Sequence, residues 1–426
     1  MKQIRQSFAI ALVLAFSACS KDTTAPGDVT NPPPPPPPPP PVEVPKTESD
    51  IFMAGARTAW TFVENNTQAS TGLAKAHDTF QFVTTWDIAS QIAATYSAHE
   101  LGIIDDANYD GRIKKILATL TTLPLFQGAA FNRFYDSQTG QMVDRNFNPS
   151  TAGFGWSTTD IGRLLIWLRV LAVNQPQYSA QATAIKNRLN MSRLISGGTL
   201  QGVDVDANGA TVYYAETGLG YEQYAAGGFA LWSQRASNSL NPTATAKATS
   251  VLGVNVWIDS RGNGRLTSEP YIMMGLETGW WAPPLGDQAH AVLAAQQARY
   301  DQQGIITIAT EDAMPDAPYY FYYYSVYHSG KTFVVEGPGY GTVVSNPRWV
   351  SSKAAFAWRA LIPTDYTLKA FNAVQVAAIP GDGWGAGVYE DTLKPTGYAT
   401  LNTAGIILES ALYRKLGKSF LSQPIG

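Results

Sequence analysis

Cysteine is all but missing from the 426-residue chain: Cys19 is the only one. A disulfide framework and a thiolate metal cluster are therefore excluded. Histidine is nearly as scarce, and His77, His99, His290 and His328 include no pair at zinc-ligand spacing. Charge is low as well. Lys and Arg number 30 against 33 Asp and Glu, a net charge of −3, which leaves no basic stripe for a nucleic-acid partner. Gly-x-Ser-x-Gly is absent, so a nucleophile elbow has no support. Two stretches, Asp106-x-Asn108-x-Asp110-Gly111 and Asp204-x-Asp206-x-Asn208-Gly209, copy the first half of a calcium loop. Their twelfth positions are Leu117 and Ala215 instead of the bidentate Glu, so they read as a helix start and a polar turn. Nothing in the sequence calls for a cofactor or a metal.

What is present begins with a targeting segment over residues 1–19. Lys2 and Arg5 give its positive end, Phe8–Phe16 the apolar run, and Ser17-Ala18 the small residues before Cys19. The run is too short to span a membrane as a mature helix. A lone cysteine directly after such a run resembles the bacterial lipoprotein signal, although Phe16 departs from the aliphatic residue of that pattern. The resemblance implies that Cys19 is lipidated and becomes the new N-terminus, and Ser20 after it implies the outer membrane. An ordinary secretory signal is the alternative. Residues 20–49 read as a tether, in which Pro32–Pro41 forms a polyproline II rod of about 30 Å at ~3.1 Å per residue.

Aromatic residues are plentiful, with 11 Trp, 21 Tyr and 17 Phe, and several recur in one pattern. Gly153-Phe154-Gly155-Trp156, Gly218-Leu219-Gly220-Tyr221, Gly337-Pro338-Gly339-Tyr340 and Gly381-Asp382-Gly383-Trp384 all read Gly-x-Gly-aromatic, with a looser copy ending in Gly279-Trp280. Counted with Trp86, six spaced copies predict a repeat architecture. Apolar residues at helical spacing follow them over residues 86–101, 159–173, 221–232, 287–300, 351–361 and 401–416. These stretches are rich in Ala, Gly, Leu and Ile, as suits helices buried on several sides. More polar amphipathic stretches at 50–65, 106–123, 178–195, 243–252 and 366–378 read as outer partners. Residues 301–350 look mostly extended, with strands at 319–324 and 331–336. The predicted fold is an all-α (α/α)6 toroid over residues 50–426, with a small β region around 301–350. The even spacing argues against two helical domains split near 200.

All inner N-termini would then open at one mouth. Glycoside cleavage needs two carboxyl groups there, one to protonate the leaving oxygen and one to act on the opposite face. Glu222, flanked by Tyr221 and Tyr224, is the expected acid: burial against aromatic rings raises a carboxyl pKa, and Glu is a poorer helix cap than Asp or Asn. Asp382, between two glycines where no helix needs a cap, is the expected base, with Glu336 and Glu277 as alternatives. Asp87 and Asp160 could equally be caps. With Trp86, Trp156, Tyr221, Trp280 and Trp384 they are expected to shape the substrate pocket. Arg163 could hold a sugar hydroxyl or a carboxylate, although a structural ion pair is the commoner role.

Thr85-Trp86-Asp87-Ile88, Gly155-Trp156-Ser157-Thr158-Thr159-Asp160-Ile161-Gly162-Arg163-Leu164 and Gly220-Tyr221-Glu222-Gln223-Tyr224-Ala225-Ala226 resemble the bacterial envelope family catalogued as domain of unknown function 3131. The resemblance spans most of residues 50–415. It implies the toroid fold and confers no reaction. More distantly, Gly220-Tyr221-Glu222 before an apolar helix resembles the glucoamylase-like β-1,2-glucanases, in which a Glu at the matching helix start sits in the catalytic pocket. Together these readings predict a lipid-anchored glycoside hydrolase acting on an envelope or extracellular β-glucan, with inversion as in most related toroids. The alternatives are a glycan-binding lipoprotein without turnover and an envelope scaffold.

Overall fold

Side-chain caps fix where the helices begin. Thr84 and Asp87 exchange bonds across the first turn of one helix, Asp87 N to Thr84 Oγ1 at 3.1 Å and Thr84 N to Asp87 Oδ2 at 2.9 Å. Ser157 and Thr400 cap two others through the amides of Asp160 and Thr403. The computed structural model describes residues 47–261, 265–337 and 343–421. The signal segment with Cys19, the proline run and the Gly339-Tyr340 turn lie outside the described residues.

Thirteen α-helices occur among the described residues: α1 (Glu48–Asn66), α2 (Thr85–Glu100), α3 (Asp106–Thr122), α4 (Thr158–Asn174), α5 (Ser179–Asn187), α6 (Met191–Leu194), α7 (Tyr221–Ala230), α8 (Ser237–Leu240), α9 (Glu269–Met273), α10 (Leu285–Gln303), α11 (Ser352–Leu361), α12 (Asp365–Val374) and α13 (Leu401–Leu416). A π-helical turn, Met274–Thr278, continues α9. Helices α2, α4, α7, α9, α11 and α13 are buried on nearly every side. α2, α4 and α7 pack in that order, as do α9, α11 and α13, and α13 returns to α2. Tyr224 of α7 meets the π turn by hydrogen-bonding Glu277. Small residues make this approach possible. A Cβ on Gly228 of α7 would lie 2.1 Å from the carbonyl oxygen of Gly162 in α4, so the two backbones touch there. Helices α1, α3, α5, α10 and α12 bury one face each against the ring and form its outer layer.

Three expectations need correction. The described residues are about 46% helix and 21% strand, so the fold is not all-α. Residues 287–300 belong to α10, an outer helix whose Asp287 and His290 are exposed; the inner element is the short, fully buried Glu269–Thr278. Residues 243–252 form no outer helix. They enter a hairpin, Ala246–Val251 paired with Val254–Asp259, turned by Leu252 and Gly253, both at positive φ. Two such residues make the primed turn that a right-twisted hairpin favours, and Thr and Val suit its strands.

The predicted β region is present and larger than expected. Glu311–Ala313, Phe321–His328, Lys331–Glu336 and Val343–Val344 form one antiparallel sheet. Register places Glu311 opposite Tyr323, and Tyr323 opposite Glu336. The face carrying Asp312, Tyr322 and Tyr324 is buried, whereas Glu311, Phe321 and Tyr323 are half-buried on the other. Among the described residues no helix is long and apolar enough to cross a membrane.

Candidate active site

The N-terminal ends of the inner helices gather charged side chains around a cup. Asp87 and Asp160 come from the first turns of α2 and α4, and Glu311 from the sheet. All three are half-buried. Glu216 lies beside Asp160 and accepts from Thr158 N at 3.0 Å and Thr158 Oγ1 at 3.1 Å. Lys353, in the first turn of α11, is buried at a helix end that disfavours a cation. Carboxylates compensate: its Nζ lies 2.5 Å from Glu269 and 3.4 Å from Asp312, and donates to the Glu311 carbonyl at 2.6 Å.

Burial pushes the Asp160 carboxyl up to about 7; Ser157 and Arg133 oppose the rise, while Glu216 and Asp87 add to it. Burial and the nearby Glu269 carry Glu311 to about 8, with Asp160 adding to the rise and Lys353 and Arg265 moderating it. Asp87 is also raised by burial, held back by its Thr84 hydrogen bonds and by Arg163 and Lys353. Glu311 thus shares one electrostatic field with Asp160, and Asp160 with Asp87, although each comes from a different part of the chain.

Beneath the cup runs a polar column to which every inner helix contributes. Arg163 is fully buried, 4.8 Å from the Trp86 ring centroid, and donates to Ser90 Oγ at 2.9 Å and Asn402 Oδ1 at 2.7 Å. Its other edge faces Glu409 at 3.3 Å and Glu277 at 3.5 Å. Glu277 also accepts from Trp167 Nε1 at 3.0 Å and from Tyr224. Glu409 and Glu277 hydrogen-bond each other, and burial beside that second carboxylate drives Glu409 well above the usual range, so Glu409 holds the proton. Asn402 Nδ2 donates to Glu269 at 2.6 Å and joins the column to the Lys353 cluster.

Trp86, 8% exposed, lines the cup with its ring centroid 6.1 Å from Tyr221 and 6.0 Å from Tyr224. The Tyr221 hydroxyl lies 3.2 Å from Thr267 Oγ1. Asp87, Asp160, Trp86 and Tyr221 are therefore together. The expected catalytic pair is not. Tyr221 occupies the inward phase of α7, and the next residue is turned ~100° round the helix. Glu222 consequently points outward, 1% exposed, into an ion pair with Arg261, whose guanidinium also holds Asp259 at 2.7 Å. Burial raises its carboxyl while Arg261 holds it down. Asp382 stands in the turn beside the end of α1, where Gly381 O accepts from Asn65 at 2.7 Å. Among the described residues nothing joins it to Glu222 or to the cup carboxylates.

Three of the expected pocket aromatics are structural. Trp156 is 0% exposed and donates to Gln201 O at 2.8 Å. Its Gly155 sits at φ +117°, where a Cβ would strike Val203 O. Trp384 is buried against Phe356 and donates to Gly55 O at 2.9 Å. Trp280 follows an inner helix instead of preceding one, so it lies at the opposite end of the ring, packed on Gly227. Glu311, Lys353 and Glu269 escaped the sequence reading. The aromatic run Phe321–Tyr324 hides the two-residue alternation that would have shown which face carries Glu311. Two surface hollows elsewhere, one beside Thr119–Pro124 and one beside Ala107–Lys115, bring a single carboxylate, Glu64, and cannot supply an acid–base pair.

A family model described as Protein of unknown function (DUF3131) matches residues 54–417. No curated protein matches the chain in sequence. Among solved structures, the chain is similar to a candidate glucoamylase from Bacteroides fragilis, with a TM-score of 0.64, 13% identity, and coverage of 88% of this chain and 94% of that one. It is similar to an endo-β-1,2-glucanase from Chitinophaga pinensis in complex with sophorotriose and glucose, at TM-score 0.60 and 14% identity, covering 89% and 96%. A third likeness is to an endo-β-1,2-glucanase from Talaromyces funiculosus in complex with sophorose, at TM-score 0.58 and 11% identity, covering 87% and 86%. Identities this low establish a shared fold, that of the glucoamylase-like toroid enzymes.

Proposed function

The chain belongs to the DUF3131 family, and on that premise we propose that it is a glycoside hydrolase acting on a β-glucan. The observation that carries this reading is the pair Asp160 and Glu311: two half-buried carboxyl groups from separate elements, within one field, both raised toward neutrality. Glycoside hydrolysis asks for that combination. Glu311, the group that holds its proton to higher pH, donates it to the departing glycosidic oxygen as the bond to the anomeric carbon breaks. Asp160 takes a proton from the water whose oxygen bonds to that carbon. Direct attack by water inverts the anomeric configuration. Asp87 accepts from a sugar hydroxyl, and Trp86 and Tyr221 wall the cup. Solvent exchange returns Glu311 to its acid form and Asp160 to its anion. The glucan complexes among the structural neighbours support a β-1,2 linkage.

The test is to incubate the full chain in detergent with β-1,2-, β-1,3- and β-1,4-glucans and measure reducing ends. Release from at least one, with a Glu311→Gln protein at least about 100-fold slower yet still binding, supports the hydrolase. Binding by both proteins with no release by either would show a glycan binder without turnover, and equal release by both would remove Glu311 from the reaction.

The same reading holds the domain over residues 50–426 at the outer membrane through a lipid on Cys19, with residues 20–49 as the tether. Its support is the order of signal run, cysteine and prolines. A Cys19→Ala protein should move from the membrane fraction to the soluble fraction; retention in membranes would refute the anchor.

A further inference from the structure

The sheet that supplies Glu311 presents more to the cup than one carboxylate. Its buried face carries Asp312, Tyr322 and Tyr324. Its open face carries Glu311 beside Tyr323, then Ala313 beside Phe321. The Tyr323 and Phe321 rings stand edge to face with centroids 5.4 Å apart. Two residues along a strand advance it by about 6.6 Å, so Phe321 lies one step further from Glu311 than Tyr323 does. Tyr323 belongs to the cup wall: it lies within electrostatic reach of Tyr221, and the Arg265 guanidinium sits 4.0 Å from its centroid, held by Glu336 at 2.6 Å.

Beyond Phe321 the chain turns at Tyr320, which is 51% exposed at a φ of +58°. Holding a non-glycine residue in that region costs energy, and such strain persists only where the surroundings fix it. Here Tyr320 N donates to Asp316 O at 3.2 Å, while Tyr389 Oη donates to Asp316 Oδ2 at 2.8 Å. Ala313, opposite Phe321 in the register, has only a methyl side chain to set beside the ring. The half-open Phe321 ring offers flat apolar surface at the far end of this face, away from the Arg265 guanidinium.

We propose that Tyr323 and Phe321 form an aromatic track that leads from Glu311 toward Tyr320 and stacks the neutral sugar rings of a glucan beyond the bond being cleaved. The track rests on the hydrolase reading and adds to it a substrate class: uncharged chains longer than the cup itself holds. Phe321 is the useful probe, because its loss leaves the buried face of its strand intact.

The experiment compares kcat and KM of the full-chain enzyme on a polymeric β-glucan and on the shortest oligosaccharide it cleaves. Phe321→Ala should raise KM for the polymer about tenfold, the value of one ring contact, with kcat unchanged. KM for the short substrate should change less than twofold. Phe321→Tyr, which keeps the ring, should restore the wild-type KM for the polymer. Retardation in gels containing the same glucan gives a second readout, and its loss in Phe321→Ala with return in Phe321→Tyr supports the track even without turnover. Hydrolysis with an unchanged polymer KM, or an equal rise on both substrates, overturns the track alone. A wild-type protein that neither cleaves nor binds any glucan overturns the track and the hydrolase reading together.

Discussion

Two acidic regions share the axis of the ring and differ in one respect. In the deep column, Glu277 and Glu409 are sealed from water, and one edge of Arg163 faces both. One proton on Glu409 and one cation on Arg163 leave that group neutral, with Trp167 and Tyr224 donating to the remaining anion. In the cup, Asp87, Asp160 and Glu311 meet solvent, and the nearby Lys353 is already committed to Glu269 and Asp312. Paired and dry, carboxyl groups hold six helices together. Unpaired and half-wet, they hold protons loosely enough to exchange them with a substrate. What separates structure from chemistry here is the number of cations per carboxylate, together with access to water.

That contrast can be broken at its deep end first. Arg163→Met leaves two buried carboxyl groups without their cation and should cost about 3–5 kcal/mol, read as a fall in the chemical-denaturation midpoint. A loss of activity at unchanged stability would contradict the structural role given to the column. The cup offers the next test. Hydrolysis requires Asp160 ionised and Glu311 protonated, so the rate should rise with pH to a limb near about 7 and fall beyond a limb near about 8. Outside these limbs the rate should drop about tenfold per pH unit; a profile flat from pH 5 to 10 would remove both groups from the reaction.

The smallest effect belongs to Glu409→Gln. An amide can replace a carboxyl that already carries its proton, so the cost near pH 5 should stay under about 1 kcal/mol. The sign with pH is definite. Glu409 keeps in the folded state a proton that the unfolded chain releases above about pH 4.3, so the wild type loses stability as pH rises from there. The Gln variant has no such loss, and its Tm should climb relative to wild type between pH 5 and pH 8. A constant difference would mean that Glu409 is not the protonated partner.

Much of the ring was legible because its signals are local. Asp87 and Asp160, read as helix starts, do stand in first turns, although the capping oxygens come from Thr84 and Ser157, and the Ala- and Gly-rich stretches mark burial on several sides. The repeated Gly-x-Gly-aromatic turns pointed to true backbone features, since Gly155, Gly220 and Gly383 all take positive φ. They were weaker guides to the site. Trp156 and Trp384 use those turns to enter the core, and Trp280 sits at the far end because it follows the inner element Glu269–Thr278 instead of preceding one.

The sequence by itself determined the starts of most inner helices, the inner pattern of small apolar residues and strands at 319–324 and 331–336, because capping, periodicity and turn chemistry act within a few residues. It also placed Asp87, Asp160, Trp86 and Tyr221 near one another. Only the tertiary structure decided which carboxylates look into the cup. The phase of α7 sends Tyr221 inward and Glu222 to Arg261, and strand register brings Glu311 to the wet face of its sheet. Both depend on what packs behind the element, and that partner comes from another part of the chain.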